Sequence, residues 1–68
     1  MMSKAERERL DGVVRELRKH SEDYAKDATN YDFTASYRSR CTGTSAALEY
    51  SADLLAAALK EMEVESGN

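Results

Sequence analysis

The chain has 68 residues, 34% of them charged, with three Gly, no Pro and a formal net charge of −3. A chain this short is expected to form a single domain, 1–68, burying only roughly 60% of the surface its unfolded form exposes. Ala, Leu, Glu, Lys and Arg supply about half of it, which excludes a strand-and-turn architecture, and its basic residues are interleaved with acids, which argues against a nucleic-acid footprint.

The first element opens at Ser3-Lys4-Ala5-Glu6, a capping-box pattern in which the Ser3 hydroxyl and the Glu6 carboxylate satisfy each other's backbone N–H groups. Leu10, Val13, Val14, Leu17, Tyr24, Ala28 and Tyr31 follow at helical spacing. They fall within an arc of roughly 100°, the stripe of a helix with one buried face. Between Lys4 and Asp27 stand seven acids and seven bases, many at i,i+4 spacing such as Asp11 with Arg15 or Glu22 with Lys26. Exposed pairs of this kind contribute only ~0.3–0.5 kcal/mol each, so they read as a solvated outer face. This pattern predicts a helix over 3–29.

Thr29-Asn30-Tyr31-Asp32 is the expected break. These short polar side chains compete for local backbone hydrogen bonds, Asn30 tolerates a left-handed backbone, and Asp32 or Thr34 can cap the next helix. With neither Gly nor Pro in the break, one long bent helix is the alternative.

A second helix is predicted over 33–64. Tyr37, Cys41, Thr44, Leu48, Ala52, Leu55, Leu59 and Met62 step along it by three and four residues. A second row, Ala47, Leu54 and Ala58 with Tyr50 and Ala57 beside it, widens the apolar arc towards about 180°, more than one antiparallel partner covers. Gly43 stands on that second side. A helix-interior Gly costs ~1 kcal/mol against Ala, so a continuous helix here implies close approach of another backbone. The competing reading breaks the helix at Gly43 and caps a third one with Thr44 or Ser45, but no Glu follows three residues on to complete that cap.

Motifs for chemistry are sparse. Cys41 lacks the arginine that a phosphatase loop carries after five intervening residues, since Ala47 stands there, and Gly43 lacks the second Gly and the Lys of a phosphate loop. Cys41 therefore reads as a small buried hydrophobe. His20 is the only histidine and, with Asp23, makes an incomplete metal set. Glu49 and Asp53 lie one turn apart but lack the Glu-x-x-His of a di-metal bundle. The aromatic residues gather mostly around the turn, where packing explains them better than base stacking. No catalytic residue, cofactor or metal is expected.

The one place where positive charge is not matched by nearby acids is Arg38 and Arg40. With Thr42 and Ser45 they form a candidate anion-binding group, unless the arginines pair across the hairpin with Asp23 or Asp27.

One Cys permits no internal disulfide and fits a reducing setting, residues 1 to 20 are charged from Lys4 onward where a signal peptide would need an apolar stretch, and no apolar run reaches the ~20 residues of a membrane span. A cytoplasmic, membrane-free chain is the expectation.

The fold class expected is all-α: an antiparallel helical hairpin that pairs with itself into a helical bundle. Below about 70–80 residues a single core rarely supplies more than ~3–5 kcal/mol without staples, metal or association, and only association is open to this chain. Gly43, Ala47, Leu48, Leu54, Leu55, Ala58, Leu59 and Met62 are the candidate self-association residues. The functional expectation is a non-catalytic, homo-oligomeric interaction or regulatory module with a protein partner. The alternative is an oligomer that sequesters a small anion such as a nucleotide through Arg38, Arg40 and the neighbouring hydroxyls.

Overall fold

A computed structural model describes the backbone of residues 2–66 and the side chains of residues 2–62. Two helices, α1 (Lys4–Ala28) and α2 (Ala35–Ser66), fold back on each other as an antiparallel hairpin, with no strand among the described residues. Ser3 caps α1: its hydroxyl accepts from the Glu6 N–H at 3.1 Å and its own N–H donates to the Glu6 carboxylate at 3.4 Å. The capping box is formed on both sides, as its residues predict.

The turn is where sequence and structure part. Asn30 does not take a left-handed backbone, for no described residue has a positive φ. Instead the Thr29 hydroxyl donates to the Lys26 carbonyl at 3.0 Å, and the Asn30 side-chain oxygen accepts from the Asp32 N–H at 3.0 Å. An Asx-type turn does the reversing that a glycine would otherwise do. Thr34, not Asp32, caps α2, its hydroxyl accepting from the Tyr37 N–H at 3.1 Å. Because α1 ends before the turn, Tyr31 leaves the α1 stripe: it is 82% exposed, with the Arg38 guanidinium 4.3 Å from its ring centre.

Seven residues before the end of α1 sits its most buried side chain, Ser21, in the gap between Leu17 and Tyr24. Its hydroxyl donates to the Ser45 carbonyl at 3.0 Å, and the Ser45 hydroxyl donates to the Ser21 carbonyl at 2.8 Å. A hydroxyl this short reaches the opposing main chain only where the two helices come close, towards the tight end of the ~8–10 Å range of interaxial distances. The pair also sets the register. Moving away from the turn by equal steps, Val14 falls level with Ala52 and Arg7 with Leu59.

Among the described residues Cys41, Ala52 and Leu59 are the buried apolar ones, each at most 2% exposed, with Leu48 and Leu55 half-buried beside them. From α1, Leu10, Val14, Leu17 and Ala28 are half-buried, while Val13 and Tyr24 remain exposed because one partner helix covers less than their full stripe. The backbone measures 51 Å along its long axis and 17 × 11 Å across, with a radius of gyration of 15.6 Å. A globular chain of this length would be near ~11 Å. The molecule is a single layer, two helices wide.

Helix α2 runs unbroken through Gly43, so no third helix starts at Thr44 or Ser45. The close backbone approach inferred at Gly43 does not occur within the chain: a Cβ there would meet nothing within 4 Å. The reason is the direction in which it points. Gly43 faces away from α1, on the side opposite Cys41 and Ala52.

Candidate functional site

The side of α2 turned away from α1 carries an exposed apolar stripe. Gly43, Ala47, Tyr50, Leu54 and Ala58 recur on it at helical spacing, all exposed, with Tyr50 at 66% and Leu54 at 55%. An isolated exposed leucine needs no explanation, but a continuous stripe along a helix does. Little on this surface demands water. The Ser51 hydroxyl turns back to donate to the Ala47 carbonyl at 2.9 Å, which leaves the backbone and methylene surface around it free to be covered. Between Ala47 and Leu48 the surface dips into an open groove of about 540 Å³, lined also by Arg40, Gly43, Thr44 and Ser51.

Of the eight candidate self-association residues, Leu59 is consumed by the hairpin's own core and Leu48 and Leu55 are half-buried. Gly43, Ala47, Leu54, Ala58 and Met62 are exposed, Met62 at 43%.

The four candidate anion-binding residues do not converge. Arg38 is tied into the turn, its Nε donating to the Phe33 carbonyl at 3.4 Å and its guanidinium resting over Tyr31. The Thr42 hydroxyl donates to the Arg38 carbonyl at 3.2 Å, and that of Ser45 is engaged with Ser21. Arg40 lies roughly 200° around the helix from Arg38 and lines the apolar groove instead. Neither arginine pairs with Asp23 or Asp27; among the described residues Arg40 has no ion-pair partner.

The cross-hairpin ion pairs run in the other direction. Arg18 of α1 donates from one guanidinium nitrogen to Glu49 and to Asp53, both at 3.0 Å. Its pKa is pushed above the usual arginine value, first by the hydrogen bond with Asp53. The two carboxylates one turn apart thus hold a guanidinium, which no pattern within α2 alone could reveal. The local pairs keep the i,i+4 spacing but not the expected partners: Asp11 meets Arg7 at 3.5 Å rather than Arg15, and Glu16 meets His20 at 3.7 Å.

Cys41 is a free thiol buried under α1. The phenol of its neighbour Tyr37 is pushed above the ordinary tyrosine range, first by a hydrogen bond with the Cys41 side chain. Among the described residues no group of three His, Cys, Asp or Glu is placed to hold a metal, and no helix is long and apolar enough to cross a membrane. No protein-family model, curated protein or solved structure matches the chain.

Proposed function

We propose that the chain is a non-catalytic, self-associating helical module: hairpins pair through the outward side of α2, and the charged α1 surface is left to meet a protein partner. One observation carries this reading. With Cys41, Ala52 and Leu59 alone as buried apolar residues among the described residues, Tyr50 and Leu54 are left more than half exposed on one uninterrupted stripe. Covering that stripe with a second copy converts a single layer into a four-helix bundle with an enclosed interior, the usual remedy for a chain too short to build its own core. Surface charge is sorted accordingly, with the acids and bases of α1 on the far side and Glu49 and Asp53 occupied by Arg18. The buried lone thiol suits a reducing, cytoplasmic setting.

The test is the mass of the protein in solution. Sedimentation equilibrium from low to high micromolar concentration should show a dimer or larger assembly, and Leu54→Glu should return it to a monomer that keeps its helical spectrum. A wild-type chain that stays monomeric and folded throughout overturns the proposal. Adding a nucleotide panel to the same runs distinguishes the anion-sequestering alternative: assembly that depends on nucleotide would favour that reading over this one.

A further inference from the structure

The outward stripe of α2 is bracketed by charge in a way that assigns the direction of pairing. Arg40 stands at one end of it and Glu61 at the other, each ten residues from the central pair Tyr50 and Ser51. Both are exposed, and neither makes an ion pair among the described residues. Between them α2 carries three other charged residues, Glu49, Asp53 and Lys60. Glu49 and Asp53 are held by Arg18 of α1, and Lys60 lies on their side of the helix, so none belongs to the stripe. At 1.5 Å per residue the stretch from Arg40 to Glu61 is about 32 Å of uncharged surface with a cation at one end and an anion at the other.

Such a surface is its own complement only when turned end over end. From this we infer that two copies of the chain pair α2 against α2 in antiparallel sense, about a two-fold axis near Tyr50 and Ser51, so that Arg40 of each copy meets Glu61 of the other. This rests on the self-association proposed above and adds its orientation. A parallel pairing sets Arg40 against Arg40 and Glu61 against Glu61, with like charges at both ends of an apolar seam. The antiparallel arrangement satisfies both ends at once and is isologous, closing at two copies rather than running on into a filament. In that register Ala47 falls level with Leu54 and Gly43 level with Ala58, and the open space above Gly43 leaves room for the partner helix to come close there.

Charge reversal reads the orientation directly. Arg40→Glu and Glu61→Arg, made singly, each set like charges together twice per dimer, and each should weaken the dimer roughly tenfold by sedimentation equilibrium at low salt. The double variant Arg40→Glu/Glu61→Arg restores two opposite pairs and should return to within about threefold of wild type. Both positions are exposed, so circular dichroism of the dilute variants should match wild type and separate dissociation from unfolding. If the single variants dimerise as well as wild type, or the double variant fails to recover, the antiparallel pairing is overturned while self-association stands. If the wild type itself never dimerises, both fall.

Discussion

At the scale of single residues, Ser21 and Ser45 each reach the other helix's main chain, and they do it with small volume as much as with hydrogen bonds. Ser21→Ala removes one hydroxyl but leaves the Ser21 carbonyl that Ser45 donates to, so the loss should be about 0.5–1.5 kcal/mol of unfolding free energy. Ser21→Leu improves the helix propensity but adds volume where the side chain is only 5% exposed. Overpacking there should cost more than the alanine change, ~1–3 kcal/mol or above, in urea unfolding. The reverse order would mean that the hydroxyl, not the close approach, is what matters. Gly43 is the opposite case. Its α carbon faces open space and its backbone is helical, so Gly43→Ala should raise the stability of the dilute hairpin by up to ~1 kcal/mol through helix propensity alone. A lowered thermal midpoint under dilute conditions would show that something already occupies that space.

At the scale of elements, the turn has no residue of special backbone conformation to hold it, so its geometry rests on side-chain caps. Thr34→Ala deletes the acceptor for the Tyr37 N–H and should cost about 1 kcal/mol, with Thr34→Ser retaining most of it, as judged by denaturant midpoints. How much of this could be read beforehand follows from which interactions are local. The capping box at Ser3, the two helices and the break around residues 29 to 34 depend on neighbours in sequence, and they are legible there. Thr34 was one of two legible cap candidates, but the Asx turn at Asn30 was not visible, because Asn serves a left-handed cap and an Asx turn equally well. The pairs across the hairpin were hidden for a different reason. Arg18 with Glu49 and Asp53, and Ser21 with Ser45, depend on the register between helices, which the apolar stripe of each helix constrains only loosely. Ser21 was further masked by its polarity: a serine inside an apolar stripe looks like a gap in the stripe, not like its centre. For the candidate site, the excess width of the α2 apolar arc was plain in Ala47, Leu54 and Ala58. That Leu59 belongs to the hairpin and Leu54 to the outside was not, since both lie on the same broad arc until α1 is placed.

At the scale of the whole molecule, that division between Leu59 and Leu54 separates folding from association. Leu59 is 2% exposed within one hairpin, and Leu59→Ala should remove ~2–5 kcal/mol of its stability through lost transfer energy and the cavity left behind. The loss should appear at every protein concentration, because the contact lies inside the chain. Leu54 is 55% exposed and contributes little to the isolated hairpin, so Leu54→Ala should leave the unfolding midpoint unchanged at high dilution. Where copies pair, the folded state gains mass-action stability that grows with concentration, and the thermal midpoint of the wild type should climb accordingly. Leu54→Ala should flatten that climb, while Leu59→Ala should shift the whole curve downward and keep its slope as long as enough hairpin remains folded to associate. Thermal melts of the three proteins at several concentrations make the comparison. A wild-type midpoint independent of concentration, with Leu54→Ala nonetheless destabilising, would mean that the outward side of α2 acts within one chain after all. The single-layer shape, 51 Å long with its apolar stripe uncovered, would then have to be replaced by one in which α2 bends back on itself.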